Sequence, residues 1–261
     1  MVCVSVIMPA YNAQNTIKQA IDSVLAQTFG DFELIVINDH STDDTRNIIM
    51  NYQSNDKRVL LVDNEINSGV SFSRNKGIEV AQGRYIAFLD SDDYWKQDKL
   101  EKQVKLMKEK KAVLSYTASA FIDYNGNPYD YVMEAETRTT LDTLLKKNLI
   151  SCSSAMIISS VMKKLKMPSD KMYEDYYIWI KVLRRFKYAY GINEPLLVYR
   201  LSRKSKSSNR IKSAIMIYNT YKAVGYDLVL STFFTLRYSI HSVSKRFYIK
   251  NVRYCKKSFG S

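Results

Sequence analysis

The sequence predicts an open α/β fold: a mostly parallel sheet with helices on both faces, followed by a helical, basic C-terminal extension. Three observations carry this expectation. Over the first hundred residues, short apolar runs alternate with stretches of helical spacing. The chain has 261 residues, 46% of them hydrophobic, enough to bury a real core. Polar, carboxylate-bearing turns follow the apolar runs, which is where an open parallel sheet gathers its ligands.

Taken in order, Val4 to Met8 reads as a strand, and Thr16 to Leu25 has helical spacing through Ile17, Ala20, Ile21, Val24 and Leu25. Leu34 to Ile37 is a continuous apolar run, Asp44 to Tyr52 is helical, Val59 to Val62 is a short strand and Val70 to Ala81 is helical. Tyr85 to Leu89 is a strand that stops at Asp90. This βαβαβαβ series requires a parallel sheet with right-handed crossovers. The second part is less regular. Lys99 to Lys111 is a charged helix, and Val113 to Tyr116 and Ala120 to Tyr124 read as two strands before an Asn125-Gly126 turn. Helices follow at Leu141 to Lys147 and Asp175 to Phe186, and a strand at Leu196 to Tyr199. Ser202 to Ser208 is a polar, basic loop, and Ile211 to Ala223 and Leu228 to Tyr248 are helices. Three regions result: residues 1–110, residues 111–200 as the second half of the same domain, and residues 201–261 as the extension.

Net charge is +13, and its placement says more than its size. Basic and acidic residues number 25 each from Met1 to Tyr199, whereas Arg200 to Ser261 carries 14 basic residues against Asp227 alone. A neutral body with a cationic tail attracts anionic lipid, phosphates or nucleic acid. The three cysteines and two histidines form no zinc or disulfide pattern, which fits a reducing compartment. Met1 to Met8 is apolar without a positive leader, so it reads as a first strand and not as a signal peptide. No run approaches the ~20 apolar residues of a spanning helix. The expected location is cytoplasmic, at most peripheral on a membrane.

Three polar clusters fall at the carboxyl ends of strands: Pro9-Ala-Tyr-Asn12, Asn38-Asp-His-Ser-Thr-Asp43 and Asp90-Ser-Asp-Asp93. Neither glycine-rich phosphate loop, the P-loop or the dinucleotide type, is present, so another device must neutralise a bound diphosphate. Three carboxylates within four residues repel one another unless a cation relieves them. Such oxygen donors suit Mg²⁺ or Mn²⁺ bridging to phosphate oxygens. Without a metal, the same cluster is an acidic turn capping the helix that starts near Asp98. Asp39 has two readings as well: part of a loop whose Ser41, Thr42 or Asp43 caps the next helix, or an acceptor for a nucleobase N–H.

Together these segments resemble glycosyltransferase family 2 with its GT-A type, Rossmann-like fold. The resemblance runs through Ser5-Val-Ile-Met-Pro-Ala-Tyr-Asn12, Gln27-Thr-Phe, Phe32-Glu-Leu-Ile-Val-Ile-Asn-Asp39 with Ser41-Thr-Asp43, Asn67-x-Gly69 with Ser73-Arg-Asn75-x-Gly77, and Gly83-Arg-Tyr-Ile-Ala-Phe-Leu-Asp-Ser-Asp-Asp93. Glu174-Asp175 with Trp179, and Pro195-x-x-x-Tyr199-Arg200, match the family's later landmarks more loosely. The resemblance implies an inverting transferase that moves a sugar from a nucleotide-diphosphate donor, in the first instance a UDP-sugar, to an acceptor hydroxyl. The acceptor it implies is a glycan or a polyprenyl-diphosphate-linked glycan of bacterial surface polysaccharide synthesis. Tyr11 and Asp39 would hold the nucleobase, with Pro9 shaping the turn and Asn12 and Ser91 beside the donor. Arg74 would contact the nucleotide, Asp90 the ribose, Asp92 a Mn²⁺ or Mg²⁺ cofactor, and Asp175 would be the general base. Asn38 stands where the family usually has an acid, and His40 where it often has glycine. Ser202 replaces a histidine that some members carry, so Arg200, Arg203 and Lys204 are the candidates for offsetting diphosphate charge.

Single displacement needs a carboxylate that binds no metal, on the face opposite the leaving group. In residues 111–200 the other acids sit at turns, polar connections or a helix start, which leaves Glu174 and Asp175. The aromatics Tyr173, Tyr176, Tyr177 and Trp179 around them could form a sugar-stacking wall. At a helix N-terminus an ionised Asp175 is favoured by the dipole, although capping alone would also place it there. Arg200 to Lys212 reads as a donor-ordered lid or as a solvated linker. The C-terminal helices read as a dock for an anionic membrane or as packing on the body. A nucleotidyltransferase is the alternative enzyme, disfavoured because no glycine-rich basic loop follows the first strand. A nucleic-acid partner is not expected, since no recognition motif is present.

Overall fold

The computed structural model describes residues 2–201 and 210–251, with side chains as far as residue 240. Strands β1 (Val4–Ala10), β2 (Phe32–Asn38), β3 (Val59–Asp63) and β4 (Tyr85–Phe88) alternate with helices α1 (Ile17–Leu25), α2 (Thr45–Asn55) and α3 (Val70–Val80). They form a parallel unit in the order β3-β2-β1-β4, with Val4 opposite Phe32 and Ala10 opposite Asn38.

Then come β5 (Tyr94–Trp95), α4 (Lys99–Glu109), β6 (Leu114–Ile122), β7 (Pro128–Met133), β8 (Arg138–Thr139), α5 (Leu141–Lys146), a 3-10 turn (Cys152–Ser154), β9 (Met156–Ile158), α6 (Ser159–Leu165), α7 (Glu174–Phe186) and β10 (Ala189–Arg200). Helices α8 (Arg210–Ala223) and α9 (Leu228–Asn251) complete the described chain. The sheet continues β4-β9-β6-β10-β5, with β9 antiparallel to both neighbours and β10 parallel to β6. The mixed second half is a correction to the sequence reading in one respect: the two strands expected at Val113–Tyr116 and Ala120–Tyr124 are one, β6. Its Ser115, Thr117 and Ser119 are buried, so the polar residues that seemed to interrupt the strand are its other face.

Side-chain alternation divides the core between the two faces of the sheet. Val4, Val6, Met8, Leu34, Val36 and Ala87 pack under α1, α2 and α4. Ile7, Ile35, Ile37, Ile86 and Phe88 pack under α3, α5, α6 and α7. Gly77 lets α3 lie close on the sheet, since a Cβ there would come within 2.7 Å of Ile7 and 2.8 Å of Ile37. That approach brings Arg74, one turn earlier, over the strand ends.

The extension is integrated with the second face. Tyr176 of α7 meets Tyr221 of α8 at 5.9 Å between ring centroids and Tyr238 of α9 at 5.9 Å. Phe234 packs on Tyr221 and Tyr226. The packing reading therefore holds for one side of α9: Phe234 and Tyr238 face the body, while Leu228, Val229, Phe233 and Leu236 are exposed. The loop expected at Ser202–Ser208, with Arg203 and Lys204, lies outside the described residues, as does most of the proposed lid.

Candidate active site

The loops after β1 and β2 are tied together at the carboxyl edge of the sheet. Asp39 N–H donates to Ala10 O at 2.8 Å. Asn12, with φ of 47°, donates through its N–H to Ser41 Oγ and accepts from Thr42 N through Oδ1 at 2.9 Å. Asn12 thus braces the loops around its neighbour Tyr11, which is half exposed after the buried Pro9. Asp39 is buried, and its carboxylate accepts from Asn64 Nδ2, Ser68 N and Gly69 N at 2.7–2.9 Å. It organises the turn into α3, where Gly69 has φ of 88°. Asn38 donates to Asp63 Oδ1 and accepts from Ser41 N. An acid at position 38 would face the Asp63 carboxylate, which gives a local reason for the asparagine.

The loop after β4 carries the acidic cluster, with Ser91 half-buried within it. Burial, and then the charge of Asp90, pushes the Asp92 carboxyl up to about 6. Asp93 is raised by burial and by its two acidic neighbours, and its Oδ2 has no hydrogen-bond partner among the described residues. A cation would relieve this crowding. No group of three or more His, Cys, Asp or Glu side chains able to hold a metal occurs among the described residues.

The two arginines expected at the nucleotide and the diphosphate are both engaged with protein groups. Arg74 is 3% exposed; its Nη2 pairs with Asp90 Oδ1 at 2.5 Å and its Nη1 with Glu174 Oε1 at 2.7 Å. Burial opposes its charge, but the two carboxylates more than offset this and raise its pKa. Arg200 donates its backbone N–H to Asp93 Oδ1, its Nε to Asp92 O and its Nη2 to Gln19 Oε1. It braces the acidic loop.

Across the site, Glu174 and Asp175 open α7. Asp175 accepts from Tyr176 N at 2.7 Å, and desolvation followed by the Glu174 charge pushes its carboxyl up to about 6. Of the four aromatics expected to form a sugar-stacking wall, Tyr176 and Trp179 are fully buried in the core, while Tyr173 and Tyr177 are only partly buried. Three residues near the site were given no role by the sequence reading. Tyr199, near the end of β10, has its hydroxyl pKa raised by burial and then by the charges of Asp93, Asp92, Asp90 and Asp175. The 3-10 turn supplies Ser153, whose Oγ accepts from Asp90 N at 3.1 Å, and buried Cys152 beside Arg74. The polar run Ser151-Cys-Ser-Ser154 between apolar stretches was the available signal.

Comparison with known proteins agrees with this arrangement. Residues 5–165 match the model of Glycosyl transferase family 2. The chain is 39% identical over 93% of its length, and 97% of the relative's, to TuaG of Bacillus subtilis (strain 168), a protein named for a glycosyltransferase role in teichuronic acid biosynthesis. It is 37% identical over 80% of its length and 81% of the relative's to WfgD of Escherichia coli, named a UDP-Glc:alpha-D-GlcNAc-diphosphoundecaprenol beta-1,3-glucosyltransferase. Among solved structures, S. aureus TarS 1-349 in complex with UDP-GlcNAc superposes with a TM-score of 0.72 at 22% identity, covering 87% of this chain and 68% of that one. The mannosyltransferase PcManGT from Pyrobaculum calidifontis, in complex with GDP-Man and Mn²⁺, gives a TM-score of 0.69 at 17% identity, covering 95% and 72%. With the family model over most of the chain and relatives aligned along nearly all of it, this protein belongs to glycosyl transferase family 2 and is a glycosyltransferase.

Proposed function

We propose that the enzyme transfers a sugar, with inversion, from a UDP-sugar to a hydroxyl of a glycan or polyprenyl-diphosphate-linked acceptor in bacterial surface polysaccharide synthesis. The carrying observation is that one guanidinium, that of Arg74, touches both Asp90 of the donor loop and Glu174 beside Asp175. The donor edge and a second acidic pair from the other half of the chain therefore face one site. The activities for which TuaG and WfgD are named, and the UDP-GlcNAc bound to TarS, support the donor and acceptor class.

In this reading Pro9, Tyr11, Asn12, Asp39 and Ser91 shape the nucleotide pocket, and Asp90 lies against the ribose. Asp92 would hold Mn²⁺ or Mg²⁺, which when bound offsets charge on the leaving diphosphate; the Mn²⁺ in PcManGT supports that choice. Asp175 takes the acceptor hydroxyl proton, a general-base contribution of roughly 10²–10⁴ in rate. The raised pKa of about 6 keeps it ionised at neutral pH while making it more basic than an ordinary aspartate.

In this reading a polyprenyl-linked acceptor would be met peripherally at the cytoplasmic face of the membrane. No described helix is long and apolar enough to cross one. The outward Val229, Phe233 and Leu236 of α9, next to the cationic C-terminal sequence, are suited to an anionic surface, where each cation contributes about 1 kcal/mol. Flotation with phosphatidylglycerol vesicles at low salt should carry the full chain, and Phe233→Ser with Leu236→Ser should abolish it. Failure of the parent protein to float would overturn the membrane assignment.

The function itself is tested by incubating the enzyme with a panel of UDP-sugars, Mn²⁺ and a diphosphate-linked acceptor. Free UDP and a glycoside of inverted anomeric configuration are expected. Pyrophosphate as the released product would indicate nucleotidyl transfer instead.

A further inference from the structure

Arg74 sits on the inner side of α3 with its planar fork divided between the two halves of the molecule. Nη2 holds Asp90 at the end of the donor strand, and Nη1 holds Glu174 in the first turn of α7. The third nitrogen, Nε, is buried without a hydrogen-bond partner among the described residues. Against apolar packing of the same volume, a buried ionic network yields little net stability. What a guanidinium does supply is geometry, because its fixed fork sets the relative positions of the two carboxylates it binds.

The consequence falls on Asp175. Consecutive side chains on a helix point about 100° apart, so anchoring Glu174 inward fixes the rotation of α7 about its axis and hence the direction of Asp175. The preceding residue is fixed as well: Tyr173 donates its N–H to Thr220 Oγ1 at 3.0 Å, and its hydroxyl pairs with Ser213 Oγ at 2.7 Å. Helix-dipole electrostatics alone would not need Glu174 buried against an arginine from another helix.

We infer that Arg74 and Glu174 form a strut that sets the proton-accepting Asp175 against the donor site, so that both are positioning residues for the transfer. The inference rests on the reading of Asp175 as the base. The groups acting on Asp175 are Glu174 and Asp90, which disfavour its ionisation, Arg74, which favours it, and the neutral Cys152, Tyr199 and Tyr238.

The test is a set of variants measured for kcat against pH and, separately, for affinity to UDP plus Mn²⁺ by calorimetry. Glu174→Ala removes the strut and should lower kcat by about 10²-fold, the cost of misplacing a reacting group by about 1 Å. UDP affinity should stay within about threefold, since only positioning is lost. Glu174→Gln keeps an acceptor for Arg74 Nη1 but removes the charge, so it should recover most of kcat while moving the acid limb to lower pH. The limb shift reports the Glu174 charge alone, and a brace that matters only for folding would lower the melting temperature while leaving kcat of the folded Glu174→Ala enzyme near the parent's. Asp175→Asn separates the two claims. Full turnover in Asp175→Asn overturns the base reading and the strut with it. An inactive Asp175→Asn beside Glu174→Ala and Glu174→Gln profiles that match the parent, or that lose UDP affinity in step with kcat, overturns the strut alone.

Discussion

At the donor edge, the loops after β1 and β2 are fixed by residues of the same parallel unit, Asn12 with Ser41 and Thr42 and Asp39 with Ser68 and Gly69, while the loop after β4 is also braced from the second half by Ser153 and Arg200. At the acceptor edge, the first turn of α7 is held by groups from elsewhere: Arg74 from α3, Thr220 and Ser213 from α8, and Tyr221 against Tyr176. In the proposed reading these loops bind the nucleotide, a rigid ligand common to many enzymes. A helix assembled from distant parts can be aimed at whatever acceptor the rest of the chain dictates.

The largest expected effect breaks the donor edge. Asp92→Ala should lower turnover by about 10³-fold, several kcal/mol of charge stabilisation, with the melting temperature kept or raised. Excess EDTA should reproduce that loss in the parent protein. Turnover that survives EDTA would remove the metal from the account.

A second effect compares the two edges through pH. Asp175, with its carboxyl raised to about 6 in the folded protein, should give kcat/KM an acid limb near that value. Asp92 is raised too, but a bound cation favours its ionised form. The linkage sign follows from the raised pKa: the folded state binds the proton more tightly, so this stabilising contribution is full below pH ~4 and lost as pH rises through about 6. At pH 8 an ionised Asp175 therefore costs stability, and Asp175→Asn should be more stable than the parent there. For a chain of this size about 1 kcal/mol raises Tm by about 2–4 °C, and the gain should vanish at pH 4. An equal Tm at both pH values would contradict the burial of this carboxylate.

The smallest effect probes the acceptor edge. Thr220→Ala leaves the Tyr173 N–H without its partner, a cost of about 1–3 kcal/mol. It should reduce kcat several-fold with UDP affinity unchanged. An equal loss in both would mean that α8 serves the donor half too.

The same contrast explains what was legible in the sequence. The parallel unit and its acidic turn could be read because each strand, turn and cap is encoded within a few residues, as at Leu89-Asp90-Ser91-Asp92. The second half could not: β9 is three residues long and is defined only by its neighbours β4 and β6. The pairing of Arg74 was not legible, because nothing in residues 70–80 announces a partner as distant as Glu174. Tyr176 and Trp179 read as a sugar wall because helical spacing alone does not tell an aromatic facing the core from one facing a site, and the tertiary fold put both inside.

The central claim is that Asp175, held across the site from Asp92, takes the acceptor proton. Asp175→Asn preserves size and keeps an oxygen that can accept from Tyr176 N, so the measurement is kcat for that variant with UDP affinity determined alongside. The account predicts a kcat lower by about 10² or more, with binding unchanged. Turnover within a few-fold of the parent would contradict it and leave the acceptor proton to another group.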